Sequence, residues 1–217
     1  MPINRRDFLA AGGATVAALT VPEVAFADAN DDAAAFIKDH IAKMRPLEVQ
    51  SGIAWWNANV SGEDADFKKK EEAQNKIDEA LADAKQFARL KALKAAAEKG
   101  EIKDAHAARQ IELLYLQYLE KQVKPQLLKK ITSKANAVEQ AFNVFRAKVD
   151  GQEVADSKVR STLKESADSE LRKKVWEASK GVGAAVEADL AELVKLRNEA
   201  ATQLGFKNFH DMTLTLN

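Results

Sequence analysis

The sequence predicts a mainly α fold, a bundle of long helices with at most one short β-hairpin near residues 145–154. Three observations carry this. Apolar residues recur three and four positions apart over most of the chain, the period of a half-buried helix. Only 4 prolines interrupt 217 residues. The one stretch that alternates as a strand does flanks Asp150-Gly151, a dipeptide suited to a two-residue hairpin turn. At this length one domain buries enough surface to need no staples, and the absence of cysteine excludes disulfides, thiolate catalysis and cysteine metal sites together. Lys+Arg and Asp+Glu both number 33, so the charge balance carries no nucleic-acid footprint.

Residues 1–27 read as an address. Asn4-Arg5-Arg6-Asp7-Phe8-Leu9 is a twin-arginine pattern, and a soft apolar run follows from Phe8 to Val21. The run is shorter than the roughly 20 residues a bilayer span needs. Ala25-Phe26-Ala27 supplies a small-x-small cleavage site, placing the mature start near Asp28. No cysteine follows it, so no lipid anchor is expected. The mature part, 28–217, is expected to be periplasmic or extracellular, without a stable membrane anchor.

In the mature chain, Ala33, Phe36, Ile37, His40, Ile41 and Met44 form one apolar helix face, which Pro46 interrupts or kinks and Val49, Ile53 and Trp56 extend. From Ala54 to Gly62 the aromatic pair Trp55-Trp56 and the turn formers predict a packed corner, with at least one tryptophan anchored on a neighbouring element. The functional alternative is an aromatic lip of a binding cleft. Ser61 or Gly62, with Glu63 and Asp64, then starts a single helix expected to reach Lys99 before Gly100. Asp104 caps a third helix, and Pro125 starts or kinks its continuation through Leu127, Leu128, Ile131, Ala135, Val138 and Phe142. After the hairpin, Asp156 or Ser157 caps a short helix to Lys164. Ser166-Ala167-Asp168-Ser169 ends it and caps another that carries Leu171, Val175 and Trp176 before Gly181 and Gly183. The last full helix, about Ala184 to Leu204, is expected to bury Val186, Leu190, Leu193, Val194, Leu196 and Ala200 and to stop at Gly205. Asn208 caps one more, with an apolar edge expected near Phe206, Phe209, Met212 and Leu214.

Chemistry is scarce. His40, His106 and His210 are far apart and none begins H-E-x-x-H. His40 is expected to be a satisfied core histidine, His106 an exposed one, and His210 a packing or surface residue. No nucleophile elbow or phosphate-cradling glycine loop is present, and Gly181-Val182-Gly183 reads as a helix break. No residue is assigned a catalytic or metal-binding role, and no substrate-binding residue is named.

Resemblance supplies more. Asp168-Ser169-Glu170-Leu171-Arg172-Lys173-Lys174-Val175-Trp176-Glu177-Ala178-Ser179 and Leu196-Arg197-Asn198-Glu199-Ala200-Ala201, with Leu204-Gly205-Phe206-Lys207-Asn208-Phe209-His210-Asp211-Met212, resemble phrases of the M2 zinc metallopeptidases. That family holds the peptidyl-dipeptidases related to angiotensin-converting enzyme. Asn57-Ala58-Asn59 is similar to its asparagine corner, with Ala58 in place of threonine. M3 oligopeptidases share the Leu204–Phe209 phrase, but the corner and the Trp-Glu-Ala-Ser run favour M2. The resemblance implies a helical fold like the N-terminal lid and upper half of a zincin-type peptidyl-dipeptidase. It implies zinc on H-E-x-x-H and a downstream glutamate, all beyond Asn217, and small peptides as substrates. The expected role is a lid and channel portion, inactive alone and partnered by the catalytic half. A stand-alone periplasmic binding or adaptor protein is the alternative.

Overall fold

A computed structural model describes residues 28–216. The leader read at 1–27 lies outside the described residues. Among those described, nine helices and one hairpin follow in the order α1 (Ala29–Ser61), α2 (Asp64–Leu81), α3 (Ala84–Glu98), α4 (Ala105–Glu120), α5 (Pro125–Val144), β1 (Ala147–Val149), β2 (Gln152–Val154), α6 (Asp156–Glu165), α7 (Ser169–Lys180), α8 (Val182–Gln203) and α9 (Phe209–Leu216). The fold is mainly α, as the periodicity predicts.

The Asp28 carboxylate caps α1 by accepting the backbone N–H groups of Asn30 and Asp31. The helix then runs for 33 residues with Pro46 inside it, about 50 Å at the α-helical rise. The aromatic stretch expected to be a corner is therefore helix. The turn comes only at Gly62, whose φ of 73° ends α1 and whose N–H donates to the Ala58 carbonyl at 2.9 Å. A left-handed residue with no Cβ suits that stop. Trp55 is 49% and Trp56 65% exposed. Neither is buried, yet the Trp55 side chain bonds the Glu139 carboxylate of α5, so the contact with a neighbouring element is made from within the helix.

Residues 64–98 form two helices, not the single one expected. The Asp83 side chain accepts from the N–H groups of Lys85 and Gln86 at 2.9 and 3.1 Å, capping α3. Gln122 donates to the Leu81 carbonyl at 3.0 Å, satisfying the end of α2. Both sides of the break thus have their orphan backbone groups met.

The largest core lies among α1 to α4. Phe36, Met44, Leu90, Leu93, Ile111 and Tyr118 pack at its centre. Phe87 and Tyr115 stack at its margin, ring centroids 5.5 Å apart. Asp104 caps α4 as expected and Pro125 opens α5. A second cluster joins Val123, Leu127 and Leu128 to Ala200 of α8. The apolar positions expected to be buried along α8 divide. Leu193 and Ala200 are buried, whereas Leu190 and Val194 are exposed.

The hairpin forms where alternation placed it. Ala147 pairs with Val154 and Val149 with Gln152. Asp150 and Gly151 hold φ of 54° and 79°, the doubly left-handed turn that matches strand twist. With α6 and α7 it makes a third, smaller cluster around Ala147, Val159 and Val175. The α6 cap is Ala155 without a side-chain bond, so Asp156 is the first helical residue and not the cap. Asp168 does cap α7. The break falls at Gly181, and Gly183 lies inside α8.

Candidate functional site: a charged cleft among the helices

The sequence leaves one corner that the structure turns into a joint. Ala58 is fully buried where α1 meets its neighbours, and there a small side chain is required. Next to it, the Asn59 amide donates to the Trp55 carbonyl at 2.9 Å and to Glu139 of α5 at 3.2 Å. Asn143 returns a bond to the Asn59 carbonyl at 3.2 Å. The asparagine corner therefore pins α1 to α5.

Beside this joint opens a cleft of about 530 Å³. Ser51, Gly52 and Trp55 of α1 line one wall, and Lys70, Glu71, Gln74 and Asp78 of α2 the next. Leu128, Ile131, Thr132, Asn136 and Glu139 of α5 face them, with Arg197 and Ala200 of α8 and Phe209 and Met212 of α9 closing the far side. Lys70 reaches Glu139 at 2.6 Å and Asn136 at 3.0 Å. Asn136, itself buried, donates to the Phe67 carbonyl at 3.0 Å. Burial opposes ionisation of Glu139, but the bonds from Lys70 and Asn59 outweigh it and hold its carboxyl below the ordinary glutamate value.

A second polar group sits deeper. Asp78 is 4% exposed. Its carboxylate accepts from Thr132 at 2.9 Å and Gln74 at 3.2 Å, and Lys121 lies 3.3 Å away. Burial works against the Lys121 charge, yet Asp78 and Glu120 together hold its pKa above the ordinary lysine value. Two charged knots thus tie α2 to α4 and α5 at the cleft floor. The Glu71 and Arg197 side chains, by contrast, line the same cleft with no hydrogen bond or ion pair among the described residues.

The phrase shared with the peptidases also acquires a physical meaning. Asn198 accepts the Phe209 N–H at 2.9 Å, and Asn208 accepts that of Asp211 at 2.9 Å. The first bond ties α9 back to α8 and brings Phe209 beneath Arg197, 5.0 Å from guanidinium carbon to ring centroid, and the second caps α9. Met212 is buried there, while Leu214 is 68% exposed, so the expected apolar edge narrows to Leu214.

The three histidines do not meet. His40 is half-buried, its Nδ1 3.1 Å from the Tyr118 hydroxyl. Burial holds its pKa below the ordinary value, with Glu48 opposing and Lys43 assisting. His106 and His210 are exposed on α4 and α9. Among the described residues no three His, Cys, Asp or Glu side chains form a group that could hold a metal. These residues do not fit zinc, and no chemical step is routed through them. Lys70, Asn136, Glu139, Asp78 and Arg197 escaped the sequence reading because their partners lie on other helices. Arg197 alone had a signal, its place in Leu-Arg-Asn.

A helical body around an open, charged cleft places the chain among helical cleft-forming scaffolds. Its family follows from sequence. The family model described as angiotensin-converting enzyme matches residues 27–215, and the chain belongs to that M2 family of zinc metallopeptidases. Residues 2–22 match the twin-arginine translocation signal, which supports export. Comparison with curated proteins and with solved structures gives no match. Among the described residues no helix is long and apolar enough to cross a membrane.

Proposed function

We propose that this chain forms the lid and substrate-channel wall of an exported peptidyl-dipeptidase that releases dipeptides from the C-termini of small peptides. The observation that carries this reading is that the family match, 27–215, contains every residue lining the cleft, from Ser51 to Met212. In this reading zinc and the H-E-x-x-H segment belong to a catalytic portion outside residues 1–217, and the chain alone is inactive. Its own residues bind and exclude. Trp55, Leu128, Ile131 and Phe209 offer apolar surface to a peptide, and the paired charges of Lys70, Glu139, Asp78 and Lys121 keep the floor rigid. A narrow, partly apolar wall restricts access to short chains and sheds water as they enter. Exposed Ile53, Trp56 and Val60 of α1, with Leu190 and Val194 of α8, are the faces offered to the catalytic portion. In this reading the setting is periplasmic or extracellular.

The test is direct. Purified chain, supplied with zinc and a short peptide, is followed by mass spectrometry for dipeptide release. None is expected. Zinc-dependent release by this chain alone would contradict the assignment of chemistry to another portion.

A second reading, a stand-alone periplasmic binding or adaptor protein, is favoured by the self-contained core around Leu90, Leu93 and Ile111. It requires a cooperative melting transition without any partner, and a molten preparation would count against it.

A further inference from the structure

Arg197 stands apart from the other cations of the cleft. Lys70 is held by Glu139 and Asn136, and Lys121 by Asp78 and Glu120. The Arg197 side chain lines the same cleft and makes no hydrogen bond or ion pair among the described residues. What it does have is a platform. Its guanidinium lies over the Phe209 ring at 5.0 Å, and that ring is fixed by the Phe209 N–H to Asn198. With the ring on one side, the guanidinium keeps its N–H donors free of any partner among the described residues. Those donors lie in one plane, the geometry in which a carboxylate is taken by two parallel bonds. Buried Ala200 and Met212 lie close in the wall, and exclusion of water there strengthens a charged contact.

We propose that Arg197 is a carboxylate-binding subsite of the cleft, with Phe209 as its stacking surface. The ligand is a peptide carboxylate, supplied by a free C-terminus or by an acidic side chain. The subsite rests on the peptide-cleft reading above and specifies which part of the peptide it recognises. Phe209 positions Arg197, and Asn198 positions Phe209.

The experiment titrates the purified chain with three peptides and reads binding by calorimetry. The first is Ala-Glu-Ala as free acid, the second its C-terminal amide, and the third Ala-Gln-Ala as free acid. Removing the recognised carboxylate is expected to weaken binding on the order of tenfold, the loss of one charge-assisted bond. Weakening in the amide assigns the C-terminus, and weakening in the glutamine peptide assigns the side chain. In Arg197→Gln, checked by circular dichroism, the difference between peptides disappears. Arg197→Lys keeps the charge without the planar fork and is expected to bind more weakly than the wild type, which decides the matter should the glutamine variant fail to fold. Equal binding of all three peptides by the wild type, or a preference that survives in Arg197→Gln, overturns the subsite and leaves the peptide cleft standing. If none of the three binds, both readings fall.

Discussion

Two regions of this molecule use the same kinds of helix to different ends. The body of α1 to α4 is centred on Phe36, Met44, Leu90, Leu93, Ile111 and Tyr118, all nearly inaccessible to solvent. The unit from the hairpin through α7 has three buried residues, Ala147, Val159 and Val175, and leaves Leu171 and Trp176 in solvent. It is tied by a turn, by caps such as Asp168, and by the exposed Lys174–Asp150 pair, an interaction of small worth. Stability scales with apolar surface removed from water, so the body sets global stability and the smaller unit opens first. The cleft has none of its lining in the smaller unit: two of its walls are α1 and α2 of the body, and α5, α8 and α9 complete it.

The largest effects separate the two regions. Ile111→Ala is expected to cost about 2–5 kcal/mol in chemical denaturation, because the surrounding core cannot close over the cavity. Asp78→Ala is expected to cost about 3 kcal/mol, since it strips a buried carboxylate from Lys121 and Thr132. Val159→Ala should cost about 1.5 kcal/mol, two methylene equivalents. Its hydrogen exchange should quicken over residues 147–178 while α3 and α4 are unchanged. Equal quickening in both regions would show that they unfold as one.

The smallest effect is titration. His40 has its folded pKa below the ordinary 6.5 because burial disfavours the charged ring. The unfolded chain therefore takes up the proton first as pH falls. The stability contributed is present above pH 6.5 and is lost as pH drops from there through the lower folded value. Glu139 follows the same sign in a lower window, below 4.5. Melting curves of the wild type should decline below pH 6.5, and His40→Gln should flatten that decline while leaving the lower one. An unchanged profile in the variant would remove His40 from the account.

Much of the fold was legible because period and caps are local. Asp104 and Asn208 name their helices, Ser166-Ala167-Asp168-Ser169 narrows the start of a third to four residues, and Asp150-Gly151 names its hairpin. The break at Asp83 was harder. No glycine or proline marks it, and half of its support comes from Gln122, 39 positions away. The tryptophan pair misled in part: Trp56 sits on an exposed helix flank, whereas Trp55 lines the cleft and bonds Glu139 without becoming buried. The cleft was the least legible feature. Lys70 meets Glu139 and Asp78 meets Thr132 only after α2 and α5 pack, and no residue pattern in either helix announces the partner. Resemblance named the family, and the structure then explained its phrases: Asn59 and Asn198 are there to pin helices, and Arg197 is left free beside them.

The claim that the cleft is a peptide channel wall can be tested by hydrogen exchange of the chain with and without saturating Ala-Glu-Ala. The account predicts added protection around Trp55, Lys70 to Asp78, Asn136 to Glu139 and Phe209 to Met212, with residues 147–180 unaffected. Protection confined to the hairpin unit, or none at the cleft, would contradict it.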